Sequence, residues 1–375
     1  MKYSYFSFLI LILPLILMAQ IRIADEYLIL NAKGSDPLFT NYAATIERSR
    51  FFADKSYFME YFTDNKPITY GSQYSGEMTV LWKINNMVID EIGKFIRQPV
   101  VIASFPDMAI LEYEPFQGLE VEEVFFVYSS GAIIIDLNIK NTGNRELKLN
   151  LYPLIHLPED SLNVVKYDRE HQGYIFTHHE SMIRLHSNLY AARGYPTHFR
   201  NLLASNLTPD SYGTDKGCNL KDFYFAVKRL SKVHSEVLQL NEMESGYTEF
   251  VALQKNFRLE PGEVAAVRFV RGVQDARIAE FELVNEVKRA LSADIQLYVD
   301  ENVRLFQSIP HISFKSVDEK MVYLGALNLV RQCMLPPSGE TSYNYYVFSR
   351  NPVWGWGHGH QVMHESLSML PYVYL

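Results

Sequence analysis

The chain has 375 residues, a net charge of −8 and only two cysteines, Cys218 and Cys333. No basic stripe is present to release counterions from phosphates, which excludes a nucleic-acid partner. Two distant cysteines also exclude a fold built on a disulfide framework; they either pair or stay free, and free thiols are the reading taken here.

Residues 1–19 set the expected compartment. Lys2 supplies a positive start, residues 6–18 are apolar apart from Ser7, and Ala19 places a small residue before Gln20. Such a run is short for a bilayer span and has the pattern of a secretory signal, so a periplasmic or extracellular protein is expected. An uncleaved anchor is the alternative, because Leu17 is bulky three positions before the cut. No later stretch reads as a span, so no stable membrane insertion is expected after signal cleavage.

Residues 20–274 are expected to form a β-domain. Candidate strands are 21–30, 77–84, 87–92, 100–105, 108–113, 121–128, 173–178, 183–187 and 223–227. Within 130–154, Ile133, Ile135, Leu137 and Ile139 alternate, a turn Asn141-Thr142-Gly143-Asn144 follows, and Leu147, Leu149 and Leu151 alternate again. This spacing predicts a hairpin with one buried face. A second hairpin is predicted over 250–273 around Pro261-Gly262-Glu263, where proline presets φ and glycine accepts positive φ. Many short strands of this kind point to a mainly β fold, a large antiparallel sandwich of two packed sheets. Residues 188–217 read as an irregular excursion. Glu120, Glu122 and Glu123 read as a solvated edge, and His156, His178 and His179 as core or surface residues of strands. Asn206-Leu207-Thr208 is a glycosylation sequon in a eukaryotic secretory pathway.

The pattern changes near residue 275. Phe281, Val284, Val287, Leu291, Ile295, Tyr298, Val303 and Phe306 fall mostly three or four apart. They predict one long linker helix within 275–310, kinked at Ser292 and ended by Pro310. A second helix starts at Ser316, which with Glu319 fits a capping box. Its stretch 321–335 is apolar almost all round, as in a buried helix, and Pro336 and Pro337 stop it. The loop 336–359 then gathers Tyr343, Tyr345, Tyr346, Phe348, Trp354 and Trp356 with Arg350 and His358, and a third helix is expected near His360. Flat aromatic faces beside glycines suit stacking on sugar rings; sealing one domain against the next is the alternative. Glu365, at the start of that third helix, is held ionised by the helix dipole and suits a hydrogen bond to a sugar better than acid catalysis.

This order of elements, with the loop Arg350-Asn351-Pro352-Val353-Trp354-Gly355-Trp356-Gly357-His358-Gly359-His360, resembles the six-hairpin glycosidases: glucoamylases, debranching glucosidases and processing α-glucosidases. The resemblance implies a sandwich and linker helix followed, over 311–375, by the first helices of an (α/α)6 barrel. It implies an exported glycoside hydrolase, inverting and acting on α-linked glucans or oligosaccharides. It further implies substrate contacts from Arg350, Trp354, Trp356 and His358. Where comparable loops carry an aspartate, His358-Gly359-His360 stands here. The catalytic acid and base of an inverting enzyme come from later barrel elements in this family. They are therefore expected beyond Leu375, with the present chain an inactive N-terminal fragment. A non-catalytic carbohydrate-binding sandwich and a related sugar phosphorylase are the alternatives. His358, His360, His364 and Glu365 also have a spacing that suits a divalent transition metal. Hydrogen bonding to the loop or to a sugar is the reading taken, and neither a metal nor a cofactor is expected.

Overall fold

The computed structural model describes residues 20–49, 56–72, 76–157, 163–168, 170–179, 198–215, 243–244, 250–337 and 342–346. In chain order the strands are β1 (Asn41–Tyr42), β2 (Tyr57–Glu60), β3 (Thr69–Ser72), β4 (Gly76–Ile84), β5 (Met87–Ile89), β6 (Arg97–Ser104), β7 (Met108–Phe116), β8 (Leu119–Ser129), β9 (Ala132–Asn141) and β10 (Leu147–His156). They continue as β11 (Asn163–Asp168), β12 (Gly173–His179), β13 (His198–Ser205), β14 (Ser211–Asp215), β15 (Met243–Glu244), β16 (Phe250–Leu259) and β17 (Val264–Asp275). Three helices follow, α1 (Glu280–Leu291), α2 (Ile295–Phe306) and α3 (Val317–Gln332), and then a short ribbon of β18 (Met334–Leu335) and β19 (Tyr345–Tyr346).

The strands build two antiparallel sheets, so the chain is mainly β, as its alternation implies. One sheet runs β1-β2-β3-β4-β10-β16-β14, with β5 also against β4; the other runs β15-β11-β12-β13-β17-β9-β8-β7-β6. The core lies between them, where Ile135, Leu137 and Phe269 of one sheet share a cluster with Met78, Leu149 and Leu151 of the other. On the outer face of the second sheet α1 packs over β17, β13 and β9. Gly272 makes that approach possible, since a Cβ there would sit 2.4 Å from a Val287 methyl and 2.7 Å from Leu283. With both faces covered, Ile133, Ile134 and Ile135 of β9 are all buried.

Both predicted hairpins are corrected. β9 pairs with β8 and β17, whereas β10 pairs with β4 and β16 in the opposite sheet. β16 and β17 likewise belong to different sheets. The two turns are arches that carry the chain across the sandwich, and they clasp one another. Asn141 Nδ2 donates to Leu259 O at 2.8 Å, Gly262 N to Asn141 O at 2.8 Å, and Asn141 N to Glu263 O at 3.0 Å. Gly262 does take a positive φ of 82°. Turn residues reverse the chain but do not choose a hydrogen-bonding partner.

Other expectations are also revised. Residues 21–30 form no strand; they hold a 3-10 turn at Glu26–Leu28 capped by Asp25. The excursion 188–217 contains β13 and β14, while candidates 183–187 and 223–227 fall outside the described residues. The single linker helix is two helices. Ser292 N and Oγ both return to Lys288 O and Arg289 O, ending α1, and the Asp294 side chain accepts from Gln296 N at 3.1 Å to start α2. The α3 cap is present: Ser316 Oγ accepts from Glu319 N at 3.2 Å, and Glu319 Oε2 accepts from Lys315 N at 2.8 Å. α3 is not buried all round, however. Met321, Leu324 and Leu327 are buried, whereas Val322 and Leu329 are 58% and 45% exposed. Among the described residues nothing covers that second apolar stripe.

Candidate functional site

The predicted sugar-contacting residues Arg350, Trp354, Trp356, His358 and Glu365 lie outside the described residues. The structure does show how the root of their loop is set. β18 pairs with β19, Met334 opposite Tyr346 and Leu335 opposite Tyr345, so the chain leaving α3 folds back on itself. Cys333, Leu335 and Tyr345 are buried together under this ribbon, and Tyr343 is exposed beside it. Part of the predicted loop is therefore a strand.

Beneath the root lies a polar junction that the sequence did not disclose. The connection from β6 to β7 turns at Phe105, Pro106 and Asp107, and buried amides from two helices converge on it. Gln332 Nε2 donates to Pro106 O at 2.7 Å and to Asn41 O, Asn328 Nδ2 donates to Ser104 O at 3.0 Å, and Asn302 Nδ2 donates to Asp107 Oδ1 at 2.8 Å. Arg48 completes the group. Its Nη2 meets Asp107 Oδ2 at 2.5 Å, its Nη1 meets Glu301 at 3.1 Å, and its Nε donates to Tyr128 O at 2.7 Å. The guanidinium also lies over Tyr298, 4.7 Å from the ring centre, where the ring quadrupole attracts a cation. Burial pushes the Asp107 carboxyl up to about 6, against the pull of Arg48 and Asn302. The junction thus ties α2, α3 and the sheet into one base for the loop.

A second carboxyl is sealed between the sheets. Glu123 alternates inward with Leu119, Val121 and Phe125, and is 3% exposed. The solvated-edge reading of this residue is corrected: alternation, not charge, fixes its face. Tyr70 OH and Tyr113 OH each donate to it at 2.5 Å. Tyr70 stacks on Phe125 and Tyr113 on Phe95, so the carboxyl sits in an aromatic box closed by Trp82. Burial raises the Glu123 carboxyl, and the two hydroxyl donors oppose that rise. No substrate reaches this group, and it serves as an inter-sheet staple.

Glu122, its neighbour on the outer face, is half-buried under the N-terminal segment and accepts from Ile21 N at 3.2 Å. Burial and the nearby Glu112 and Asp136 push it up to about 7. Asp136 pairs with Arg268 at 2.6 Å, and Arg268 in turn donates to Ala290 O, Leu291 O and Ala293 O, capping the C-terminus of α1. His156 stacks on Phe250 at 4.3 Å, and His178 is bonded to Asn201, so both are core histidines. Among the described residues, the carboxyls with raised pKa are committed to structural partners. None pairs with a second accessible carboxyl in the manner an acid and base require. No described helix is long and apolar enough to cross a membrane.

No family model and no curated protein matches the chain. Similar solved structures include a protein assigned as a kojibiose phosphorylase from the human microbiome, at 9% identity and TM-score 0.44, over 79% of this chain and 36% of that one. A family GH92 alpha-mannosidase from Bacteroides thetaiotaomicron matches at 7% identity and TM-score 0.43, over 86% of this chain and 44% of that one. A polysaccharide lyase matches at 10% identity and TM-score 0.35, over 61% of this chain and 34% of its own length. The chain spans less than half the length of each, and these neighbours are carbohydrate-active proteins whose likeness at such scores identifies no activity here.

Proposed function

We propose that the chain is the sandwich and opening helical part of an exported carbohydrate-active enzyme of the six-hairpin glycosidase type. In this reading residues 1–19 are a secretory leader, 20–274 the sandwich, 275–310 the linker and 311–375 the start of an (α/α)6 barrel. Arg350, Trp354, Trp356, His358 and Glu365 contact the sugar. The reaction is inverting hydrolysis of α-linked glucans or oligosaccharides, with acid and base supplied by residues beyond Leu375. The observation that carries the reading is the junction at the β6–β7 turn. Three buried amides and the Arg48–Glu301 ion pair fix α2 and α3 against the sandwich, so the aromatic loop springs from a rigid root, as a precise binding site requires. The apolar stripe of Val322 and Leu329 on α3, uncovered among the described residues, adds support, because a barrel helix needs neighbours on two sides.

The test is an assay of the full-length gene product on α-linked oligosaccharides, with and without phosphate. Hydrolysis without phosphate is the expected result, and Trp354→Ala and Trp356→Ala should each lower kcat/KM roughly ten- to hundredfold through lost stacking. Phosphate-dependent release of a sugar phosphate would make it a phosphorylase. Sugar binding without turnover would make it a binding protein, and neither binding nor turnover would end the carbohydrate reading.

A further inference from the structure

The sheet of β4, β10 and β16 has its own outer face, on the side of the sandwich away from α1, and a polar band crosses it. Lys148 of β10 lies directly opposite Arg258 of β16, and in the next row Asn150 stands between Asn256 of β16 and Lys83 of β4. These positions alternate with Leu147, Leu149 and Leu259, which are buried between the sheets, so their side chains leave the core. Among the described residues Lys83, Lys148 and Arg258 pair with no carboxylate. Burial lowers the Lys83 ammonium from its ordinary value. Like charges directly opposite one another on neighbouring strands are destabilising. In a chain with 43 acidic and 35 basic residues, composition does not force such an unpaired group of cations. The amides between them are set by a relay. Asn256 Oδ1 accepts from Asn150 Nδ2 at 2.5 Å and from Gln254 Nε2 at 2.8 Å, and Ser211 Oγ donates to Gln254 Oε1 at 2.8 Å. Among the described residues this leaves Asn256 Nδ2 as a free donor and Asn150 Oδ1 as a free acceptor.

The band is bounded on both sides. Toward the arches, exposed Glu146 and Glu260 flank the row of Lys148 and Arg258 without pairing with either. In the other direction Leu81 and Tyr152 of the same face are buried. An anionic chain is therefore turned away from the arch end and lies across the strands, not along them. We propose that Lys83, Lys148, Arg258, Asn150 and Asn256 bind an acidic polysaccharide, its carboxylate or sulfate groups against the cations and its hydroxyls against the amides. Neighbouring strands stand about 4.8 Å apart, close to the length of one sugar unit, so successive units meet successive strands. A nucleic acid or an anionic membrane matches the cations alone, whereas the amides select a chain that carries hydroxyls between its charges. This surface belongs to the sandwich itself and does not depend on the reaction proposed for the aromatic loop.

Affinity electrophoresis of the full chain, in gels holding polygalacturonate, dextran sulfate or plain dextran, tests this. Retardation by at least one acidic polymer and none by dextran is expected, and it should fade as salt rises. Lys148→Gln combined with Arg258→Gln should weaken binding roughly tenfold. Its Tm should not fall, because the change removes like charges that face one another. Asn150→Ala combined with Asn256→Ala should also weaken binding, at unchanged charge, and carries the test if the first variant is unstable. Lys288→Gln combined with Lys315→Gln removes the same charge from exposed sites elsewhere and should bind as the parent does. No retardation by either acidic polymer, equal losses in the two charge-matched variants, or tighter binding to single-stranded DNA or to phosphatidylglycerol vesicles would each overturn the proposal.

Discussion

Asp107 and Glu123 are both carboxyls withdrawn from water, and the protein holds them by opposite means. Asp107 faces a guanidinium and one amide at the rim where the helices meet the sheet. Glu123 faces two tyrosine hydroxyls between the sheets, with no described cation in its hydrogen-bond set. Burial raises both. Charge pairing at the rim joins elements far apart in sequence and leaves each partner dependent on the other. Neutral donors in the interior avoid a second buried charge, so the staple tolerates either protonation state of its acid. The rim should therefore fail when one partner is removed, and the interior should fail only when the shape or the donors are lost.

The largest effect expected is at Arg48. Arg48→Met keeps the apolar stem but strands Asp107 in the interior, and should cost about 3–5 kcal/mol in urea unfolding at pH 8. The sign of the pH dependence follows from the raised carboxyl. Protonated Asp107 needs no cation, so the defect should shrink as pH falls through the folded-state value toward pH 5. A defect independent of pH would assign the loss to packing over Tyr298 instead.

The interior group is then the contrast. Glu123→Gln preserves shape and an acceptor, and should change stability by no more than about 1 kcal/mol. Glu123→Ala leaves two buried hydroxyls unsatisfied and opens space, and should cost about 3 kcal/mol. Tyr113→Phe removes one donor and should fall between them, at about 1–2 kcal/mol. If Glu123→Gln proved as damaging as Arg48→Met, the carboxylate charge itself would be structural and the distinction between rim and interior would collapse.

How much of this was legible in the sequence differs between the two regions for a physical reason. The inward position of Glu123 is readable, because Leu119, Val121, Phe125 and Val127 share its period; the adjacent glutamates obscured it. Arg48 and Asp107 are 59 positions apart, and no local pattern joins them. The same limit explains the arches. Alternation in β9, β10, β16 and β17 tells which face of each strand is buried, but the choice of sheet is made by strands distant in the chain. Strands β1, β2 and β3 went unread because each has only two to four residues, too few to show an alternation. The break at Ser292 was visible as a kink, yet helical spacing runs on through it and through Asp294, whose side chain starts α2. Of the candidate site, the described structure reaches only the root of the loop.

Glu122 offers the smallest and sharpest test, as a third way of holding a carboxyl. Among the described residues it has a backbone amide from Ile21 and neither a cation nor a pair of hydroxyls, with Glu112 opposite it across the strand pair and Asp136 nearby. Burial, with those like charges, raises it to about 7 from an ordinary 4.5. A raised acid is bound more tightly by its proton in the folded state, so its contribution to stability is full below the unfolded value and is lost as pH rises through the folded one. Glu122→Gln keeps the acceptor for Ile21 and removes the titration. The variant should match the parent near pH 4 and become progressively more stable than it between about pH 4.5 and 7. Above that the difference should level off at no more than about 1 kcal/mol, because solvent screens a half-exposed group. Paired denaturant titrations at several pH values read the difference directly. A gap that stays flat would mean that the amide of Ile21 offsets the desolvation, and one that opens toward acid pH that the amide outweighs it; Glu122 would then be a carboxylate the fold prefers charged, unlike Asp107 and Glu123, which burial raises.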